Sequence, residues 1–229
     1  MPQLTDAHQA AVEQVLAVTS DWELGHVRQV ERVAVWLFAA LHELHGLGPD
    51  EEVLLRAGAL LHDVGYPINP DLHHKVSARM IRAQLGPPFT PEQVAIIALL
   101  ARYHRKAIPK LAHKRYRALD ERDRRLVEWI GGILRVADGL DRAHDAGVQS
   151  LAVAIADAQI EIRVGRISRA AAPRATIQHP LAGTVALAAR KAGPQPLLGT
   201  DLETDIAGAM RKRNLLERVA GMPVVIRAV

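Results

Sequence analysis

The sequence predicts a mainly α protein in which a helical bundle is followed by a small α+β domain. Capping patterns and apolar residues at helical spacing recur through the first two thirds of the chain. Alternation of apolar and polar residues at period two begins only after Gly147. Hydrophobic residues make up 49% of the 229 positions, enough for a sizeable core. We therefore expect a helical domain over residues 1–147 and a second domain over residues 148–229.

Start and stop signals divide the first domain into a series of predicted helices. Ser20 with Glu23 forms a capping box, and Gly46 marks a helix end. Pro49 and Pro91 stand at first helical positions, where proline is favoured. The predicted helices cover residues 5–19, 20–45, 49–64, 71–85, 90–104 and 120–144.

The second domain begins with two segments, QSLAVAIA and QIEIRV, which alternate as the strands of a hairpin do. The final segment MPVVIRAV is typical of a closing strand. Residues 180–191 and 201–216 are predicted helices. The Gly/Pro/Ala-rich stretches 165–175 and 192–200 are predicted loops.

Composition limits the chemistry that is available. The chain has no cysteine, so disulfides, iron–sulfur clusters and thiolate zinc sites are excluded. It shows no signal-peptide pattern and no apolar stretch long enough for a bilayer, so we expect a soluble, cytoplasmic protein without a membrane role. Aromatic residues make up only 3%, and no recognition motif is present, so we expect no nucleic-acid partner.

Positive charge is concentrated in one segment. Between Arg102 and Arg125 there are ten Lys/Arg residues and three acidic residues, while the whole chain carries a net charge of +4. Such a patch indicates an anionic ligand. A solvated helical hairpin accounts for the charge equally well.

The stretch LHDVG places a histidine and an acid at the end of an apolar helix. Burial of a charge is costly unless it is paired or bound to a metal, so His62 and Asp63 need partners. A lone histidine on an apolar face is usually a core residue. Several His and Asp residues on inward faces or near helix ends instead favour a metal site between helices. The candidate ligands are His26, His62, Asp63, His73, His74, His104 and Asp138.

The order His26, His62-Asp63, Asp138 resembles the H…HD…D signature of the HD superfamily of metal-dependent phosphohydrolases. The segments AGALLHDVGYPIN, HHKVSARMI, ARYHRKAIPK and LRVADGLDRAHD are similar to the HD-type C-terminal region of exopolyphosphatase/guanosine-pentaphosphate phosphatase proteins. The likeness extends into DLETDIAGAMRKRNLLERVAGMPVVI. It implies an all-helical HD domain in which these four side chains hold a divalent metal, either Mn, Fe, Co, Zn or Mg.

Two departures from those proteins bear on the expected activity. They carry their main phosphatase site in an N-terminal actin-like domain, which this sequence does not show, so exopolyphosphatase activity does not follow from the likeness alone. Their pattern HHKHS reads HHKVS here, with Val76 in place of a histidine. All four residues of the HD signature are present, which favours a working metal site.

A second metal is a further implication of the resemblance. Two-metal HD enzymes, such as diadenosine-tetraphosphate hydrolases, add two histidines between the HD pair and the last aspartate. His104 is one candidate, while His73 and His74 compete for the other position. Neighbouring helical residues point about 100° apart, so only one of the two should be a ligand. The context favours His73, and one or two metals per chain both stay open.

The implied reaction is hydrolysis of a phosphoanhydride or phosphoester in a nucleotide or polyphosphate. His62 and Asp63 are the expected catalytic residues at the metal, where water is activated and charge on phosphorus is neutralised. Lys106 and Arg142 are candidates for catalysis and for substrate binding. Arg102 is a further candidate for phosphate binding, and Arg105 and Arg135 are weaker ones.

Two other functions stay open at this point. The first is a non-catalytic module that binds polyphosphate or guanosine tetraphosphate through residues 102–125. The second is a subunit that partners a separate actin-like phosphatase. The sequence names neither the substrate nor the oligomeric state, and a homodimer is among the possibilities.

Overall fold

The computed structural model of the chain describes residues 4–166 and 202–229. Its first part is helical, as the sequence predicts. Thr5, Ser20, Thr90 and Asp120 cap four of the helices by accepting a backbone N–H bond. The helices are α1 Asp6–Leu16, α2 Asp21–Ala40, α3 His42–His45, α4 Pro49–Leu61, α5 His73–Gln84, α6 Pro91–Tyr103, α7 Lys114–Arg117 and α8 Glu121–Gly139.

Two of the predicted helices end more than a turn earlier than expected. The helix predicted to reach residue 45 breaks at Leu41, because the His45 ring turns back to bond the backbone on both sides of the break. Its Nε2 donates to Phe38 O at 2.8 Å, and its Nδ1 accepts from Leu47 N at 2.9 Å. The helix predicted to reach residue 144 ends at Gly139, where the chain turns.

A small sheet follows the helical part. Strands β1 Ser150–Ala156 and β2 Gln159–Gly165 form the predicted antiparallel hairpin. The two-residue turn between them places Asp157 and Ala158 at positive φ, as a tight hairpin requires. The closing strand β3 Val224–Ala228 pairs with β2 in parallel, so the strand order is β1-β2-β3.

The predicted helix over residues 201–216 is divided into α9 Leu202–Lys212 and α10 Asn214–Ala220. The helix predicted over residues 180–191 lies outside the described residues. Within the described parts, one cluster of buried hydrophobic residues includes side chains from both sides of residue 147. The domain boundary at this point therefore stays a prediction from the sequence.

Helix α8 is the element against which the C-terminal helices pack. Two of its glycines allow a close approach of backbones. A Cβ at Gly132 would lie 2.9 Å from Leu216 Cα, and a Cβ at Gly139 would lie 2.5 Å from Ala209 Cα. Because α9 lies this close to α8, the last turn of α9 reaches the end of α8.

None of the helices in residues 4–166 and 202–229 combines the length and apolar character that crossing a membrane requires.

The glycine contact between α8 and α9 can be tested by adding a methyl group. Gly139→Ala should lower the free energy of unfolding by about 1–3 kcal/mol, because the new Cβ would overlap the α9 backbone. Gly25→Ala is the matched control, since Gly25 lies within α2 and its Cβ would meet no atom within 4 Å. It should raise the free energy of unfolding by roughly 0.5–1 kcal/mol. Urea denaturation measures both, and equal effects would contradict the close contact.

Candidate metal centre

Six of the seven predicted ligands come together in one cluster, whereas the seventh, His74, does not. Five of the six line a cavity of about 420 Å³, and the sixth, His62, is fully buried beside His26 and Asp138. The six come from five helices or helix ends, which the bundle directs toward one point. His26 lies within α2, and Asp138 lies near the end of α8. His62 and His104 are the C-caps of α4 and α6, and His73 is the first residue of α5. The remaining ligand, Asp63, follows His62.

The four histidines of this cluster share one hydrogen-bonding pattern. The Nδ1 of each lies within hydrogen-bonding distance of a protein oxygen. When Nδ1–H donates there, Nε2 carries the lone pair that a metal needs. The pairs are His26 with Asp141 Oδ2 at 2.8 Å, His62 with Ala59 O at 2.7 Å, His73 with Pro70 O at 2.6 Å and His104 with Ala101 O at 2.8 Å.

Asp63 lies between two groups of three potential ligands. Its Oδ1 is 3.1 Å from His73 Nε2 and 3.3 Å from His104 Nε2. Its Oδ2 is 3.6 Å from His62 Nε2 and 3.9 Å from His26 Nε2. The two groups are His26, His62, Asp138 and Asp63, His73, His104, and in each the ligand atoms lie within 4.8 Å of one another. The Asp63 carboxylate therefore faces both groups at once.

Several atoms at the centre have the arrangement that a cation would satisfy. Both His62 Nε2 and Asp63 Oδ1 are buried without a hydrogen-bond partner. The Nε2 atoms of His73 and His104 are 3.1 Å apart, although both carry lone pairs in the tautomers that their Nδ1 bonds indicate. Such a set of imidazole and carboxylate donors is compatible with a divalent metal.

The electrostatics of the cavity keep the carboxylates charged. Burial raises the pKa of the Asp63 carboxyl, but the neighbouring histidines, His62 foremost, together outweigh this effect. The net pKa is about 2. Burial also raises the pKa of Asp138, but Lys212 and the neighbouring histidines together more than offset this effect, so the net pKa lies below its ordinary value. Burial lowers the pKa of His104 well below its ordinary value. The ring of His104 is therefore neutral at pH 7, as a metal ligand must be.

The C-terminal helix α9 supplies a cation that the sequence did not identify. The Lys212 ammonium forms an ion pair with Asp138 Oδ2, and Arg211 also lines the cavity. The only signal in the sequence is the basic run at the end of a predicted helix, which does not show what it contacts. Asp141 is buried and holds the His26 ring.

The predicted phosphate-binding residues are divided between different places. Arg105 and Arg142 line the cavity of the centre. Arg102 lines a different cavity, and the Lys106 ammonium contacts Asp71 O at 3.4 Å without lining the centre. Arg135 is buried and donates to the backbone oxygens of Tyr103 and Lys212 and to Asn214 Oδ1, so it connects α8 to α6 and the C-terminal helices.

The geometry places His73 within the cluster of candidate ligands and His74 outside it. The His73 ring faces Asp63 and His104. His74 lies outside the cluster, and its Nδ1 is buried without a hydrogen-bond partner. Burial, followed by the charge of Arg102, lowers the pKa of His74 to about 4. A neutral, buried His74 is consistent with a packing role.

A comparison with protein families now adds an independent finding. Residues 10–168 match the family model described as Ppx/GppA phosphatase, domain III. The chain belongs to this family. The family name indicates a phosphatase of the polyphosphate or guanosine-polyphosphate type. The matched range of Ppx/GppA domain III includes every candidate ligand, whereas Lys212 lies beyond it.

Loss of metal should distinguish His73 from its neighbour. We expect His73→Ala to lower the divalent metal content of manganese-loaded protein by about one ion per chain, because the group with Asp63 and His104 loses a donor. His74→Ala is the matched control and should retain the full content. Elemental analysis after dialysis measures both variants. Equal metal content in the two would exclude His73 as a ligand.

Lys212→Gln should destabilise the metal-free protein by about 2 kcal/mol, because the buried Asp138 carboxylate would lose its counter-charge. Manganese should reduce this difference by supplying positive charge at the same carboxylate. Arg211→Gln is the control, since Arg211 is exposed and should change stability by less than about 0.5 kcal/mol. Thermal unfolding with and without metal provides the measurement. If manganese does not change the difference in stability between Lys212→Gln and the original protein, Lys212 does not act on the metal centre.

Proposed function

We propose that the chain is a metal-dependent phosphohydrolase with an HD-type centre, acting on a phosphoanhydride or phosphoester of the nucleotide or polyphosphate type. The observation that carries this proposal is the convergence of four histidine Nε2 atoms and two aspartates in one cluster. The Nδ1 bonds fix the rings in orientations suited to metal binding.

The residues fit one metal or two. His26, His62, Asp63 and Asp138 would hold the first ion, in agreement with the order of the HD signature. Asp63, His73 and His104 would hold a second ion, with the Asp63 carboxylate shared by both. A divalent ion at this place supplies a Lewis acid that lowers the pKa of water and neutralises charge on a phosphoryl group.

The protein's own contribution is to bind and orient the phosphate. Arg105, Arg142, Arg211 and Lys212 line the same cavity as the candidate ligands and present cationic groups to a phosphate. Guanidinium groups bind phosphate oxygens in pairs, which orients the group as well as neutralising it. The ionised Asp63 carboxylate accepts hydrogen bonds only, so its role is to orient a water rather than to store its proton.

A second candidate is a regulatory role. The matching family is a third domain of a phosphatase, which favours a module that binds polyphosphate or guanosine tetraphosphate for a separate actin-like catalytic subunit. The two candidates differ in one property, which is whether the centre itself turns over a substrate.

A substrate screen separates the enzyme from the module. Protein loaded with Mn, Fe, Co or Mg is incubated with deoxynucleotides, dinucleoside polyphosphates, guanosine tetraphosphate, cyclic nucleotides and inorganic polyphosphate. We expect release of phosphate or nucleotide from at least one of them. Asp63→Asn should reduce the rate by at least about 100-fold, since the charge shared by both ligand groups is removed at nearly constant shape.

The control for this experiment is His74→Asn, which changes a buried histidine outside the cluster and should leave turnover unchanged. A contaminating phosphatase would be insensitive to Asp63→Asn. If no compound is hydrolysed and polyphosphate or guanosine tetraphosphate binds tightly, the enzyme proposal fails and the regulatory role is supported.

A further inference from the structure

A second cavity, of about 260 Å³, is lined by cations and by no carboxylate. It shares no residue with the candidate metal centre, although both are built on α5 and α6. Lys75 and Arg102 each stand two positions from a candidate ligand, and helical residues two apart point in nearly opposite directions. Its lining consists of Lys75, Ala78, Arg82, Leu99, Arg102, Tyr103, His113, Lys114 and Arg115.

The cations of this cavity lack counter-ions among the described residues. None of its five Lys and Arg side chains forms an ion pair within residues 4–166 and 202–229, and Arg102 Nη1 is buried without a hydrogen-bond partner. Burial, followed by the like charge of Arg115, lowers the pKa of Arg82. A bound anion would relieve this repulsion and satisfy the Arg102 guanidinium.

An adjoining cavity of about 560 Å³ has a different character. It shares Arg82, Leu99 and Arg115 with the first, so the two form one groove. Its remaining lining is apolar and acidic, and consists of Pro91, Glu92, Ala95, Ala118, Leu119, Asp120 and Asp123. Three carboxylates would repel a phosphate chain that continued into this part of the groove. A ligand that occupies both parts must therefore carry its phosphates at one end only.

We propose that the groove is a nucleotide-binding site, separate from the metal centre. The phosphates lie among Lys75, Arg82, Arg102 and Arg115. The base and ribose lie in the adjoining cavity, where Ala95 and Leu119 offer apolar contacts. The carboxylates there accept hydrogen bonds from ribose hydroxyl and base N–H groups, which inorganic polyphosphate cannot donate.

Calorimetric titration of the full chain with adenosine triphosphate, guanosine triphosphate and inorganic tripolyphosphate tests this site. The titration is done with a chelator present, so that no metal assists binding. At least one nucleoside triphosphate should bind more tightly than tripolyphosphate. Arg82→Gln should weaken nucleotide binding roughly tenfold, as loss of a charge-assisted bond does. Arg79→Gln is the matched control, because Arg79 is exposed on the same helix and lines neither cavity.

Ala95→Phe tests the organic end of the groove. The larger side chain should make nucleotide and tripolyphosphate bind equally tightly, without weakening tripolyphosphate binding, because Ala95 lines the adjoining cavity and does not line the first one. Arg142→Gln, which alters the metal centre, should change neither affinity. Failure of the substrate screen would not affect these results, since the two sites share no residue.

Three results would overturn the proposal. In the first, tripolyphosphate binds as tightly as both nucleotides. In the second, Arg79→Gln weakens nucleotide binding as much as Arg82→Gln does, and in the third, Arg142→Gln weakens it whereas Arg82→Gln does not. Thermal unfolding shows whether each variant is folded. If Arg82→Gln unfolds, the exposed Arg115→Gln replaces it, with the same expected loss.

Discussion

The candidate centre depends on hydrogen bonds in which a histidine donates its Nδ1–H to a fixed oxygen of the protein. For His62, His73 and His104 the acceptor is the backbone carbonyl three residues earlier. His62 and His104 cap the ends of their helices, where carbonyl groups have no partner within the helix. The termination of a helix thus fixes both the ring orientation and the tautomer. A bundle with ends at other residues would contain the same histidines without forming a centre.

Much of the fold was predictable because its signals are local. The capping box at Ser20, the proline at the first helical position of α6 and the two-residue periodicity of the hairpin depend on residues close in sequence, and the structure agrees with them. The break at Leu41 was not predictable, because it depends on where the His45 ring turns. Helix periodicity alone does not report such a bond.

The candidate site was predictable in its residue types and less so in its boundaries. The order of His and Asp along the chain identified six residues that converge, since metal donors are few and chemically distinctive. Telling His73 from His74 needed the direction of each ring. Finding that Arg102 and His104 line different cavities needed the direction of each side chain. Lys212 was missed because it lies 74 positions from its partner Asp138, and no local pattern records a contact at that distance.

The close approach of α8 and α9 has a consequence for how this centre changes during evolution. Gly139 allows α9 to lie where the Lys212 ammonium meets Asp138, although Gly139 binds nothing itself. A larger residue there would move the ammonium away and leave every candidate ligand in its place. A substitution at Gly139 would therefore alter a helix contact and the charge balance of the centre together. The properties of the centre can thus change through a substitution at a glycine that is not itself a candidate ligand.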